Sequence, residues 1–125
     1  MCIRDRRQTS NALELAKWLD SNSNVSSVNY PGLEFDPYYS SAKKYTAGRG
    51  MGCMLMFSLN GGYENAVKFI DSLKLASHLA NVGDSKTLVI HPASTTHQQL
   101  SEEEQLSAGV TPLSLIHISE PTRPY

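Results

Sequence analysis

The sequence has little of several features that mark whole classes of protein. Its two cysteines, Cys2 and Cys53, form neither a CxxC motif nor a disulfide framework, which favours a reducing, cytoplasmic compartment. Its longest apolar runs, such as residues 53–57, fall far short of the roughly 20 residues that a membrane-spanning helix needs. The net charge of −1 provides no basic surface for nucleic acid or an anionic membrane. The 125 residues suit one small domain or a piece of a larger protein.

The two ends differ from the sequence that they adjoin. Residues 1–6 (MCIRDR) and 113–125 (LSLIHISEPTRPY) share no periodicity with their neighbours. Both resemble peptides that arise when sequencing-adapter DNA is translated at the edges of assembled fragments, and the alternative is an ordinary frayed terminus. We therefore predict non-native tails at residues 1–6 and 113–125, around a domain that covers residues 7–112.

Helical and strand-like patterns alternate along that domain. The predicted elements are a helix capped by Thr9, Ser10 or Asn11, a weak strand over 25–30, a helix from Pro37 to about Tyr45, a strand over 53–59, a helix over 63–73, strands over 75–80 and 87–90, and a helix with a Ser101/Glu104 capping box that stops at Gly109. Residues 53–59 are apolar on both faces, which indicates the interior of a sheet. The order predicts an α/β sandwich with helices on one face of a small sheet.

Residues 75–109 concentrate polar groups beside strand-like sequence, so we expect function there. The candidates are the histidines His78, His91 and His97 and the hydroxyl cluster Ser94, Thr95 and Thr96. The histidine spacings are long and no paired cysteine lies near, which favours structural or cleft-lining histidines over a zinc site. A nucleophilic hydroxyl needs a base within hydrogen-bond reach, and only His91 and His97 are near in sequence. A backbone-bonding turn is the favoured interpretation of the hydroxyls.

Two further features have a structural and a functional interpretation. Gly48, Gly50 and Gly52 form a GxGxG pattern, but a phosphate loop would need a preceding strand and a following helix. We favour a flexible entry to the next strand. Cys53 lies within an apolar strand, where an inert buried thiol is favoured over a reactive one.

Five stretches of the chain carry a family resemblance. They are NALELAKWL, VNYPGLEFDPYY, AKKY, SHLANVGD and HPASTTH, and they resemble the C-terminal domain of the Cys/Met-metabolism enzymes that use pyridoxal phosphate (PLP). The resemblance covers residues 7–112 and is greatest to the O-acetylhomoserine sulfhydrylase branch. It implies the small C-terminal domain of the aspartate-aminotransferase-like fold (fold type I), which closes over the substrate.

The resemblance also implies where a substrate is bound. Family members usually carry a Ser-Leu pair against the substrate's α-carboxylate where this chain has Thr87 and Leu88, and backbone groups there are favoured donors over the hydroxyl. Asn81 and Lys86 stand where related lyases tend to have Ser and Glu, which favours the sulfhydrylase branch. The cofactor lysine and most phosphate contacts of the family lie in the preceding domain, so we assign no catalytic, cofactor-binding or metal-binding residue to this chain.

One expected residue is missing from the pattern. The family's main carboxylate-binding arginine should follow Pro112, in a motif like DLIRLSVG, but residues 113–117 read LSLIH. Arg123 does not match the motif, and His117 cannot imitate the bidentate fork of an arginine. Residues 113–117 therefore do not supply the family's main group for binding the substrate carboxylate.

The resemblance implies a fragment of a PLP-dependent sulfhydrylase of methionine and cysteine biosynthesis, inactive by itself. In such an enzyme the partners are a small amino-acid substrate and identical subunits, usually as a tetramer, in the cytoplasm, with no nucleic acid and no membrane. One alternative is a fragment of a related cystathionine γ-synthase or lyase. The other is a stand-alone binding domain with no chemistry.

Overall fold

The fold is a five-stranded mixed sheet with helices packed against it. A computed structural model of the chain describes residues 3–81 and 84–118. Its elements are α1 (Ile3–Asp20), β1 (Val25–Asn29), α2 (Tyr39–Tyr45), β2 (Met54–Leu59), α3 (Gly62–Ser72), β3 (Ser77–His78), β4 (Leu88–Ile90), a 3₁₀ turn (Pro92–Ser94), α4 (Glu102–Ser107) and β5 (Ser114–Ile118). No helix among these described residues is long and apolar enough to cross a membrane.

The strands lie in the order β1-β2-β5-β4-β3. The last strand in sequence, β5, occupies the centre and runs antiparallel to both β2 and β4. Its residue His117 pairs with Leu55 on one side and Val89 on the other. Of the strand pairs formed by the described residues, only β3–β4 is parallel. The central strand of the sheet is therefore formed by residues that lie after Pro112.

The main core lies between one face of the sheet and the helices α1 and α3. Ala12 and Ala16 of α1 are completely buried, and their small side chains let the helix approach the sheet closely. Leu55 and Leu115 project from the sheet into this cluster and are 2% and 0% exposed. Phe57 joins α3 through an edge-to-face contact with Phe69, with ring centroids 5.9 Å apart. The predicted layer of helices on a small sheet is present.

The capping signals in the second half of the chain were interpreted correctly. The side chain of Ser101 accepts the backbone N–H of Glu104, and the Glu104 carboxylate accepts the backbone N–H of Ser101 at 2.8 Å. These two bonds form the predicted capping box at the start of α4. Gly109 adopts a φ of 79°, and the N–H of Val110 donates to the carbonyl of Gln105, as in a Schellman ending.

The N-terminal cap was predicted wrongly. The first helix begins at Ile3, so Thr9, Ser10 and Asn11 lie inside it rather than at its start. The arginine-rich sequence before Thr9 contains good helix formers, and nothing in it stops the helix. The structure thus includes parts of both terminal segments, residues 3–6 in α1 and 114–118 in β5, while their adapter origin stays a prediction.

Tyr30 fixes the glycine-rich segment to the first helix. Its side chain is completely buried, and its hydroxyl donates to the carbonyl of Gly52 at 2.9 Å. Gly50 has a φ of +124°, and a Cβ there would lie 2.5 Å from the methyl group of Thr9. Glycine is therefore required there for a close approach to α1. The Cys53 thiol is half-buried just before β2, which corrects its predicted position in a buried strand.

Candidate functional site

A hydrogen-bonded turn precedes β4 and contains three of the polar residues singled out in the sequence. The side-chain amide of Asn81 donates to Asp84 Oδ2 at 2.9 Å, and the backbone N–H of Lys86 donates to Asp84 Oδ1 at 3.0 Å. One carboxylate therefore bridges both ends of the turn, as aspartate commonly does with nearby backbone groups. We call residues 81 and 84–88, without the undescribed residues 82 and 83, the carboxylate turn.

The charge of Asp84 is favoured by the same hydrogen bonds. The Asn81 amide, followed by the Lys86 backbone N–H, lowers the pKa of the Asp84 carboxyl. The turn is also tied to α1, because the buried side chain of Gln8 donates through Nε2 to the carbonyl of Asp84 at 3.0 Å. Asp84 is therefore bonded both within the turn and to α1.

The two residues expected against a substrate carboxylate lie at the end of this turn. Thr87 is half-buried, and its carbonyl accepts the backbone N–H of Ser77 at 2.9 Å, which joins the turn to β3. Leu88 is completely buried, so only its backbone could contact a ligand. The side chains of Asn81 and Lys86 are exposed, and the amide of Asn81 is already bonded to Asp84. The structure thus brings the four predicted residues together at the start of β4.

His91 serves a structural role that accounts for part of the polar cluster. Its ring is 1% exposed, with Nε2 at 2.8 Å from the Pro112 carbonyl and Nδ1 at 2.8 Å from the Ser94 hydroxyl. A carbonyl only accepts, so Nε2 carries the proton in the bond to Pro112. The imidazole joins the end of β4 to the start of β5. Ser94 has a base in reach, but both groups close a turn.

Thr95, Thr96 and His97 also make local hydrogen bonds. Thr95 Oγ1 donates to the His91 carbonyl at 2.8 Å, and Thr96 Oγ1 lies 2.9 Å from Nδ1 of His97. His78 lies in β3 with its side chain exposed. Across residues 3–81 and 84–118, no three His, Cys, Asp or Glu side chains are grouped so that they could hold a metal ion.

The lysines do not fit a cofactor site. A lysine that carries PLP as a Schiff base is activated by burial in an apolar pocket or by a neighbouring cation. All six lysines of the chain are exposed, namely Lys17, Lys43, Lys44, Lys68, Lys74 and Lys86. No lysine of the described residues has that environment, and the assignment of no cofactor lysine to this chain stays a prediction.

The strand β5 shows what stands where an arginine was expected. Ile116 and His117 are neighbours in β5, so their side chains leave the sheet on opposite faces. His117 is 7% exposed and lies on the helix-covered face, where it lines an apolar cleft with Phe57 and Val89. Ile116 lies on the other face, beside Met56. Neither side chain offers the planar cation that binds a carboxylate in two places.

Sequence analysis missed Gln8 and Asp84, which hold the turn in place. Asp84 had a signal, because an Asx residue two positions before Lys86 is typical of a side-chain-to-backbone turn. Gln8 had none, since its partner lies 76 residues away.

Comparisons with known proteins identify the family of the chain. A family model described as "Cys/Met metabolism PLP-dependent enzyme" matches residues 1–120. The chain belongs to this family. The resemblance based on SHLANVGD and HPASTTH is thereby confirmed.

Individual relatives agree with the family assignment. The chain is 55% identical over 112 residues to O-acetyl-L-homoserine sulfhydrylase 1 of Thermus thermophilus, a match that covers 90% of this chain and 26% of that protein. A solved structure described as an O-acetylhomoserine (thiol)-lyase of Campylobacter jejuni, with a pyridoxyl-lysine phosphate, superimposes with a TM-score of 0.90 at 38% identity, covering 97% of this chain and 28% of that one. Cystathionine gamma synthase of Xanthomonas oryzae, in complex with aminoacrylate and cysteine, gives 0.82 at 32% identity, with 96% and 30% covered. The chain thus spans about a quarter of the length of the relatives that it matches, and the predicted fold is confirmed.

Proposed function

We propose that this chain is the C-terminal quarter of a PLP-dependent enzyme that replaces the acyl leaving group of O-acetylhomoserine with a sulfur nucleophile. The observation that carries the proposal is the 55% identity to a sulfhydrylase over 90% of the chain. The lower identity of 32% to a cystathionine gamma synthase makes that reaction the second candidate. We also propose that the natural domain covers residues 7–112 and that residues 1–6 and 113–125 derive from adapter sequence.

In this proposal the carboxylate turn forms part of the wall that holds the substrate's α-carboxylate. Backbone N–H groups at Thr87 and Leu88 are the donors, and the Lys86 ammonium adds positive charge from the exposed side of the turn. The Asp84 carboxylate does not bind the substrate. It accepts hydrogen bonds from Asn81 and Lys86 and so fixes the direction of the following backbone. PLP, held by the preceding part of the enzyme, supplies the electron sink.

The setting of the proposed enzyme follows from the same assignment. Its partner is a small amino-acid substrate, and we propose a homotetramer in the cytoplasm. The half-buried free thiol of Cys53 is compatible with a reducing compartment.

The first experiment is to sequence the source locus across both ends of the reading frame. A preceding region with a cofactor lysine and a following Asp-Leu-Ile-Arg-like motif would support the proposal. A frame that begins at Met1 and ends at Tyr125 would contradict it and leave the stand-alone binding domain.

The recovered full-length enzyme then allows a test of the site. We expect homocysteine formation from O-acetylhomoserine and sulfide, with little activity when cysteine replaces sulfide. Preference for cysteine would instead favour the cystathionine gamma synthase reaction. Lys86→Ala should raise KM for the amino-acid substrate by roughly two- to fivefold, the effect of losing an exposed charge contact. Lys68→Ala, which removes an exposed lysine from α3, is the matched control and should leave KM unchanged.

A second substitution separates backbone from side-chain binding. If the backbone at Thr87 donates, Thr87→Ala should alter KM by less than about threefold, because the N–H group remains. A rise of more than about tenfold would show that the hydroxyl makes a hydrogen bond to the charged substrate.

A further inference from the structure

One helix of the core carries a buried polar side chain. The buried residues of α1 are Gln8, Ala12, Ala16 and Leu19, which follow each other at intervals of three or four and therefore share one face. Gln8 is only 3% exposed, although the other buried residues of this face are apolar. A buried amide loses its hydrogen bonds to water and its side-chain freedom, so a partner within the protein must replace that water. The face of α1 that packs on the sheet thus ends in a group that needs a hydrogen-bond partner.

The partner of Gln8 lies in the carboxylate turn. Nε2 of Gln8 donates to the backbone carbonyl of Asp84 at 3.0 Å, across 76 residues of sequence. Ala12 and Ala16, on the following turns of the helix, are completely buried in the main core and fix α1 against the sheet. The hydrogen bond from Gln8 therefore places the main chain of Asp84 relative to the sheet.

The other hydrogen bonds of Asp84 have a different effect. Its carboxylate accepts from the Asn81 amide and from the N–H of Lys86, and both partners belong to the turn itself. Such bonds keep the shape of the turn, but they would move with it. The bond from Gln8 ties the same residue to another part of the fold. The backbone that follows Asp84 contains the proposed donors to the substrate, so a displacement of the Asp84 carbonyl would alter the direction of those N–H groups.

We infer that Gln8 is a positioning residue for the substrate's α-carboxylate and acts through the main chain of Asp84. The inference rests on the proposed function, because the donors that Gln8 positions are those assigned at Thr87 and Leu88. A positioned donor of this kind contributes equally to binding in the ground state and in the transition state. Loss of the Gln8 amide should therefore raise KM for O-acetylhomoserine, while kcat and KM for sulfide stay nearly unchanged.

The test is Gln8→Met in the full-length parent enzyme, the protein of which this chain is the proposed C-terminal quarter. Methionine is unbranched and fills a similar space, but it carries no N–H donor. We expect KM for O-acetylhomoserine to rise about three- to tenfold, the range that the loss of one hydrogen bond covers, with kcat within about twofold. The matched control is Tyr30→Phe, which removes another buried side-chain donor to a backbone carbonyl, but at Gly52, outside the turn. Tyr30→Phe should lower stability without raising this KM.

A glutamine with a purely structural role would give another result. In that case Gln8→Met would lower the thermal stability of the enzyme, as Tyr30→Phe does, and would leave KM for O-acetylhomoserine unchanged, which would overturn the inference. A fall in kcat at constant KM would overturn it as well. If Gln8→Met does not fold, Gln8→Asn takes its place, because its amide stays polar but is one methylene too short for the bond to Asp84.

Hydrogen exchange gives a readout that does not depend on activity. The N–H of Lys86 donates to Asp84 Oδ1 at 3.0 Å, and such bonded amides exchange only when the structure around them opens. In Gln8→Met, exchange in the peptide that covers residues 84–88 should become at least about fivefold faster, because the turn opens more easily. Tyr30→Phe should leave that peptide unchanged. Equal exchange in Gln8→Met and the unsubstituted enzyme would overturn the inference. Homocysteine formation by the unsubstituted enzyme tests the proposed function separately.

Discussion

The two faces of the central sheet are built from the same strands but meet different surroundings. Leu55, Phe57 and Leu115 point towards α1 and α3 and are at most 3% exposed. Met54 and Ile116 leave β2 and β5 on the other face, and Met54 is 41% exposed. The alternation of β2 thus places buried side chains on one face of the sheet and partly exposed side chains on the other.

This difference shows which contacts the chain makes for itself. Side chains on the helix-covered face lose water within the chain, so their burial contributes directly to its stability. The side chains of Met54, Met56 and Ile116 on the other face stay partly exposed. Substitutions on the first face should therefore alter the stability of the chain much more than substitutions at these three positions.

Among the substitutions that leave the chain folded, the largest loss of stability is expected from Leu55→Ala. Leu55 is 2% exposed within the main core, and truncation there removes buried apolar atoms and leaves a cavity. We expect the free energy of unfolding to fall by about 2–5 kcal/mol, measured by urea denaturation of the chain. A loss below about 1 kcal/mol would break the comparison, because it would mean that this face is not a packed core.

A smaller loss of the free energy of unfolding is expected from Tyr30→Phe at the edge of the same core. The substitution removes the 2.9 Å hydrogen bond to the Gly52 carbonyl, and because Gly52 is exposed and water can replace the donor, the cost should be about 0.5–1.5 kcal/mol. Burial, with a smaller contribution from the Cys53 charge, raises the pKa of Tyr30 to about 12.

The pH dependence gives this prediction a sign. The pKa of Tyr30 is higher in the folded chain than the ordinary value of 10, so the folded state holds the phenol proton more tightly. Its stabilising effect is fully present below pH 10 and is lost as the pH rises from 10 towards 12. Across this pH range the free energy of unfolding of Tyr30→Phe should fall less steeply with pH than that of the unsubstituted chain. Equal slopes for the two proteins would contradict the raised pKa of Tyr30.

A third substitution tests a site that belongs to neither face. Ser101→Ala removes the cap of α4 and should cost about 1 kcal/mol. Hydrogen bonds from Ser101 lower the pKa of the Glu104 carboxyl. The contribution of Glu104 is therefore present above its unfolded pKa and is lost as the pH falls through the folded value. Glu104→Gln should weaken this acid dependence, which urea titrations between neutral and acidic pH would measure.

The sequence predicted those elements whose signals are local. The alternation of residues 53–59 identified β2, the spacing of Ala66 and Ile70 identified α3, and the Ser101/Glu104 pair identified the start of α4. Each depends on side chains a few residues apart, so one sequence contains the whole signal.

The parts that sequence analysis missed depend on distant partners. β5 is central because β2 and β4 pair with it, and residues 113–118 were set aside as part of a tail. The candidate site divides in the same way. Thr87 and Leu88 were placed by family resemblance, while the Gln8 contact that anchors their turn spans 76 residues.

The smallest effect on stability is expected from Met54→Lys, and this prediction sharpens the comparison most. The side chain of Met54 is 41% exposed, so the lysine ammonium can remain in water while its aliphatic stem covers the groove. The free energy of unfolding of the 125-residue chain should change by less than about 0.5 kcal/mol. The matched substitution Leu55→Lys, one residue away on the same strand, would bury a charge and should prevent stable folding.

In the parent enzyme Met54→Lys should behave differently, because cover by the cofactor-carrying part would desolvate the charge and loosen the contact. Thermal unfolding of both proteins, with and without the substitution, measures this. If the parent enzyme tolerates Met54→Lys as well as the short chain does, the open face is simply a wet surface, and the contrast between the two faces is one of degree.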